Sequence, residues 1–170
     1  MTQHKKNDGS LLQSRESSNQ NPEEQADNIR ELLNLVTQET RYVLIQNIVA
    51  HPKEMPSLKE LAYANPSKSK STIRNHLDKL IEADVVEAVH LPKEERSRDL
   101  PHRFFRLTGA GRGFLENHDL LKAEETLKEM HSMLEKTDEI QKYAEAPRPS
   151  IPENNDDEEM SGNSRRKVKP

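Results

Sequence analysis

The residues best suited to do chemistry lie in one stretch, Asn65-Pro-Ser-Lys-Ser-Lys-Ser-Thr-Ile-Arg-Asn-His-Leu-Asp-Lys-Leu80. Ile73, Leu77 and Leu80 are spaced four and three apart, so a helix through them buries one face. That helix turns Lys70, Ser71, Arg74, Asn75 and Asp78 outward. A helix offered to the major groove of duplex DNA needs donors near its N-terminal end. Arg74 can fork onto guanine and Asn75 can pair with adenine. Ser67, Ser69, Ser71 and Thr72 can bond phosphate oxygens, helped by the positive end of the helix dipole. Lys68, Lys70, Arg74 and Lys79 face a single acid, Asp78. The competing reading is an ordinary solvated helix behind a Ser-rich cap.

A second basic cluster follows. The loop Lys93-Glu-Glu-Arg-Ser-Arg-Asp-Leu100 carries Arg96 and Arg98, which could reach a neighbouring minor groove or its phosphates. Arg103 and Arg106 flank it. Between Lys93 and Arg106 there are five cations and three acids. This loop is expected to add affinity rather than to read sequence. A solvated, mixed-charge turn competes with that reading because of Glu94, Glu95 and Asp99.

The elements that must position these groups can be read from spacing. Asp27 can cap a helix through Ile29, Leu32, Leu33 and Val36. Tyr42 to Val49 forms a largely buried helix, stopped at His51-Pro52 because proline disfavours helix at the residue before it. Ser57 and Glu60 have capping-box spacing and open a short helix, which Asn65-Pro66 breaks. Either Ser69 or Ser71 caps the helix carrying Arg74, and Asp84 closes it. Val85–Leu91 is β-branched and partly alternating, hence a strand, and His102–Leu107 is the returning strand. Thr108 caps a short helix through Leu115. Residues 120–144 are expected to form one long helix, ended by Pro147, Pro149 and Pro152. Two helices joined by a tight turn and followed by a β-hairpin make a winged helix-turn-helix. The expected fold class is therefore mainly α with a small β-hairpin (α+β), plus a long C-terminal dimerisation helix. The divisions are a disordered tail over 1–26, the winged helix-turn-helix over 27–119, the dimerisation helix over 120–146 and a second disordered tail over 147–170.

The stretch from about Ile29 to Pro149 resembles the archaeal winged-helix transcriptional regulators of the ArsR/MarR-like kind, particularly haloarchaeal ones. The resemblance rests on Glu39-Thr-Arg41, Pro56–Leu61, Asn65–Leu80, Arg98–Phe104 and Leu107-Thr108. It implies sequence-specific binding of double-stranded DNA by a homodimer, with the helix from Ser69 to Ala83 as recognition helix. Members that sense metals through thiolates are excluded as models, since the chain has no cysteine. Asp84 stands where such proteins usually place glycine, and a slightly strained turn is expected there.

Leu120, Ala123, Leu127, Met130 and Leu134 follow a 3-4 spacing, with Ile140 beside the stripe. Such a helix can pack against its copy in a second chain, with Leu32, Leu33 and Val36 of the first helix contributing. The alternative is that the stripe packs on its own domain.

Composition sets the outer limits. The 170 residues carry a net charge of −4 and a mean hydropathy of −1.03. Yet 31 of the 35 Leu, Ile, Val and Phe residues fall between Asp27 and Tyr143, enough to place a small core there. The acidity sits in residues 108–146, with nine acids against five cations, so it says little about the recognition segment. No apolar run is long enough to span a membrane, and Met1–Lys6 lacks the apolar core of a signal peptide. A cytoplasmic protein is expected.

Other signals select nothing. Gly109-Ala-Gly-Arg-Gly113 mimics a phosphate turn, but Phe114 stands where the sixth-position glycine belongs and no βαβ unit surrounds it; the glycines are expected to give a loose helix start. No two histidines have the i, i+4 spacing of a helical metal pair. No serine, histidine and acid are singled out as a catalytic set, so no enzyme, cofactor or metal is expected. No residue set marks a small-molecule effector. Arg165-Arg-Lys-Val-Lys169 could touch phosphate or be a solvated end. The rival to a DNA reader is a winged-helix protein-interaction module of a transcription complex that does not read DNA.

Overall fold

In the computed structural model residues 21–151 are described. The expected tails, apart from the parts noted below, and the basic run Arg165–Lys169 lie outside them. The first helix, α1 (Pro22–Thr37), starts five residues before the expected cap at Asp27. Asn21 is the N-cap, Pro22 occupies the first turn, and Glu23 and Glu24 lie against the positive end of the helix. Asp27 instead pairs with Arg30 one turn on. Residues 22–26 are thus helix, not tail.

The order continues as α2 (Glu39–Ala50), α3 (Leu58–Ala64), α4 (Lys70–Glu82), β1 (Val86–His90), β2 (Arg103–Leu107), α5 (Gly109–Asn117), α6 (Glu124–Ser132) and α7 (Asp138–Glu145). This is the expected mainly α winged helix-turn-helix with a two-stranded antiparallel hairpin. Both halves of the capping box at Ser57 and Glu60 form. Of the two candidate caps for α4 it is Ser69, whose hydroxyl accepts from the Thr72 N–H at 3.1 Å. In the hairpin Val86 pairs with Leu107 and His90 with Arg103. Ser57 bridges Phe104, and the Phe105 N–H donates to the Pro56 carbonyl, so the residues before α3 form a minimal third strand.

The core is built from Leu32 and Val36 of α1, Leu44, Ile45, Ile48 and Val49 of α2, Leu61 of α3, and Ile73, Leu77 and Leu80 of α4. Phe105, Leu107, Phe114 and Leu115 close it. Each such side chain contributes roughly 1.5–3 kcal/mol when fully buried. Leu32 and Val36, expected to help a dimer, are instead used up inside the chain.

The corner between α4 and β1 is tightly specified. Asp84 adopts φ 58°. The Val85 N–H donates to the Leu80 carbonyl and the Asp84 N–H to the Ile81 carbonyl, the paired bonds of a Schellman cap. Thr108 reaches this corner, its hydroxyl donating to the Asp84 carbonyl at 2.6 Å and accepting from the Gly111 N–H at 2.8 Å. A Cβ on Gly111 would lie 2.2 Å from the Val85 carbonyl oxygen. Gly111 therefore permits close approach of two backbones, which corrects the expectation of a loose helix start. Of the three described glycines, Gly109 and Gly113 stand in open space.

The expected single helix over 120–144 is two helices. Asp119, at φ 59°, ends the α5 turn, and α6 begins only at Glu124. Residues 133–137 then break the chain. The Thr137 hydroxyl caps α7 by accepting from the Ile140 N–H, and Asp138 and Glu139 fill its acidic first turn. The break lets α6 pack on α2 while α7 turns back onto α3.

Candidate nucleic-acid interface

Capping by Ser69 and the buried face Ile73–Leu77–Leu80 fix which side of α4 meets solvent. Ser67, Lys68, Ser69, Lys70, Ser71, Arg74, Asn75 and Lys79 are all exposed, and Thr72 is half-buried. The Ser69 and Thr72 hydroxyls lie 2.9 Å apart and engage each other as well as the helix end. The cationic and amide groups of the expected set therefore share one exposed surface.

In the wing, a single 3-10 turn (Lys93–Glu95) shapes the loop. Arg96 folds back, its Nε donating to the Leu91 carbonyl at 2.8 Å, which leaves its other nitrogens for solvent. Arg98 is exposed, and Arg103 lies over the Phe105 ring. Arg106, on the other strand face, is paired with Glu87 at 2.5 Å.

Charge pairing separates this surface from the remainder of the fold. Among the described residues, the Lys and Arg side chains in salt bridges are Arg30, Lys59, Arg106, Arg112, Lys122, Lys128 and Arg148. None of them falls between Lys68 and Arg103. That segment holds eight cations and also Asp78, Glu82, Asp84, Glu87, Glu94, Glu95 and Asp99. Its acids are thus kept out of ion-pair reach of its cations. Exposed cations held in no salt bridge are suited to a polyanion.

The expected dimer residues are scattered. Ala123, Met130 and Leu134 are exposed, the last two by 60% and 50%. Leu127 and Leu120 are half-buried, and Leu120 packs on the core. Ile140 is buried within its own chain, on the α7 face turned toward α3.

The least expected group is Arg148, which falls in the segment expected as the second tail. Its side chain is 5% exposed. Nη2 lies 3.1 and 2.9 Å from the two Glu60 oxygens, Nε donates to the Met55 carbonyl, and Nη1 donates to the Tyr143 and Ala146 carbonyls at the end of α7. The guanidinium stacks over Phe104, with 4.4 Å from Cζ to the ring centre. His51 completes the cluster. Its Nδ1 accepts from the Lys53 N–H, so the ring proton is on Nε2 and donates to Glu60 at 3.0 Å. Burial pushes the Glu60 carboxyl up, but the His51 and Ser57 hydrogen bonds and the Arg148 charge outweigh it and hold Glu60 at about 2. Burial also pushes Arg148 down against the pull of Glu60. A guanidinium binds its proton so strongly that Arg148 stays charged all the same, and Glu60 carries the pH dependence of the pair. Arg148 thus ties the C-terminal segment to α3, the helix that leads into the turn before α4. No periodicity links residues 88 apart, and the only sequence sign was an acid on the inner face of a short apolar helix.

A pocket of about 500 Å³ lies between α2, the end of β2 and the start of α5. Its guanidiniums are already neutralised, Arg106 by Glu87 and Arg112 by Glu54 and Glu124. Among the described residues there is no cluster of metal-ligating side chains, and no helix is long and apolar enough to cross a membrane.

Comparison with known proteins agrees with this geometry. A helix-turn-helix domain model matches residues 36–89, from the end of α1 through most of β1. No curated protein matches the chain. A solved structure, described as a protein with a GntR-superfamily winged-helix-turn-helix domain from Halomicrobium mukohataei, is similar at 26% identity and a TM-score of 0.70. The similarity covers 79% of this chain and 94% of that one. Fold, domain match and neighbour agree on a winged helix-turn-helix fold and support a DNA-binding regulator of transcription.

Proposed function

We propose that the chain is a sequence-specific regulator of the ArsR/MarR-like kind that binds double-stranded DNA as a homodimer in the cytoplasm. Arg74 and Asn75 read base edges in the major groove. Ser67, Lys68, Ser69, Lys70, Ser71, Thr72 and Lys79 set the register on the phosphates. Arg96, Arg98 and Arg103 hold the adjacent backbone or minor groove from the wing. The observation that carries this reading is the run of cations from Lys68 to Arg103 left without acidic partners.

The homodimer is supported by the exposed apolar face of α6. Met130 on α6 and Leu134 just past its end stand out of the fold, with the half-buried Leu127 one turn before Met130, more apolar surface than a helix with no partner needs to show. The test has two arms. Selection of bound duplexes from random DNA, followed by titration at rising salt, should give nanomolar-range sites whose affinity falls steeply with salt. Sedimentation should show a dimer that Met130→Glu with Leu134→Glu converts to a folded monomer. A protein that ignores duplex DNA at low salt would instead be the interaction module.

A further inference from the structure

One contact on the recognition helix falls outside the groups already assigned to DNA. His76 lies half-buried on the flank of α4, next to the exposed Asn75. Arg41, on the first turn of α2, donates from Nε to the Leu35 carbonyl at the end of α1 and places Nη1 3.5 Å from His76 Nδ1. A guanidinium beside an imidazole is stable only if the ring accepts, so Nδ1 is bare and the proton is on Nε2. Nε2 makes no hydrogen bond to any described residue and is not enclosed.

The charges around this ring all have one sign. Arg41 approaches from α2, Lys79 from the next turn of α4 and Lys68 from the turn between α3 and α4. The other elements packed on α4 are α3 and β1. Their charges are spent elsewhere, Lys59 on Glu139, Glu60 on Arg148 and Glu87 on Arg106, and His90 ends β1 in solvent. Partial burial and then these cations hold the His76 imidazole below its ordinary value. Three cations around a neutral donor, with no carboxylate among them, suit an anionic group.

We propose that Arg41, His76 and Lys79 form a proton-coupled phosphate seat, in which a phosphodiester of the DNA backbone accepts from His76 Nε2 and His76 takes up a proton on Nδ1. This inference rests on the DNA-binding reading above. The phosphate supplies negative charge and draws the Arg41 guanidinium off Nδ1, which as a donor no longer accepts from it, so the protonated ring becomes tolerable beside Arg41. Binding and protonation are then linked: a ring whose affinity for protons rises in the complex makes the complex tighter as pH falls. The effect is absent at high pH, where the ring is neutral both free and bound. It grows as pH falls through the bound-state value and levels off below the free-state value.

The experiment uses the full chain with a selected duplex and a random 20-base-pair duplex. Affinity is measured from pH 8 to pH 5.5 for the wild type, His76→Gln and His76→Asn, with circular dichroism as the check on folding. The wild type should tighten about tenfold more than either variant over this range, on both duplexes. Calorimetry at pH 6.5 in two buffers of different ionisation enthalpy should show proton uptake by the wild type and none by the variants. Superimposable pH profiles for a binding wild type and its folded variants would overturn the seat and leave the DNA reading intact. Failure of the wild type to bind either duplex would overturn both. If His76→Gln fails to fold, His76→Asn and the wild-type calorimetry still decide.

Discussion

Arg74 and Arg148 are the same residue put to opposite uses. Arg74 stands exposed on α4 and is held in no salt bridge among the described residues. Arg148 is almost fully buried, pairs with Glu60 through two oxygens, donates to backbone carbonyls and covers Phe104. The first guanidinium keeps its hydration and its charge available, so its binding energy is released only when a partner displaces water. The second has lost its water and is held by the fold. Removing it leaves a buried carboxylate without its main countercharge. The reading surface should therefore govern affinity with little effect on folding, and the Arg148 cluster should govern folding and reach affinity only through it.

The largest expected effect comes from breaking the buried side. Arg148→Ala strands Glu60 and should cost about 3–5 kcal/mol of unfolding free energy. Arg148→Met combined with Glu60→Gln removes both charges and should recover a good part of that loss. Urea unfolding followed by circular dichroism measures both. A loss below about 1 kcal/mol for Arg148→Ala would show that the C-terminal segment is not held as the geometry indicates.

Acid should reproduce part of this without mutation. Glu60 is held at about 2, below its ordinary 4.5, so it stabilises the fold above the upper value and loses that contribution as pH falls toward the lower one. The loss is on the order of 3 kcal/mol across that window. Unfolding curves at pH 6 and pH 3 should differ more for the wild type than for Glu60→Gln. Equal pH sensitivity in the two proteins would assign the acid response to other carboxylates.

How legible each region was follows from the range of its interactions. The α4 surface was readable because a 3-4 apolar spacing fixes the exposed face and the functional residues sit next to one another in sequence. Ser57, Glu60 and Ser69 were readable because caps act over three residues. The start of α1 was readable in principle, in Asn21-Pro22-Glu23-Glu24, but Asp27 offered a rival cap closer to the apolar run. The long C-terminal helix failed because the stripe Leu120–Leu134 is blind to a break between stretches of equal polarity. Only the docking of α7 on α3 and the cap at Thr137 make that break worthwhile. Arg148 could not be read at all, since its partners come from α3, β2 and the end of α7. Gly111 shows the same limit, its reason being the Val85 carbonyl across the fold.

On the reading side, Arg74→Ala should weaken binding to a selected duplex by about 1–3 kcal/mol and relax discrimination at one base pair. Its unfolding free energy should change by less than about 0.5 kcal/mol, as for other surface sites. Fluorescence anisotropy on a panel of single-base variants reads the first, and urea unfolding the second. An equal loss on every duplex would move Arg74 from base reading to phosphate contact.

The smallest effect tests whether the two properties are separable at all. Asp84 holds φ 58° at the corner where α4 ends and the hairpin begins. A non-glycine residue in the left-handed region costs roughly 1–2 kcal/mol, and glycine removes that cost while adding freedom to the unfolded chain. The Asp84 carbonyl still accepts from Thr108 in the variant, because that contact belongs to the backbone. Asp84→Gly should therefore stabilise the fold by about 0.5–1 kcal/mol, a rise of a few degrees in Tm. Its duplex affinity should be unchanged, because the side chain lies past the end of α4, away from Arg74 and Asn75. A stabilised protein with altered affinity would mean that the corner sets the angle at which α4 is presented, and that the reading surface depends on the scaffold behind it.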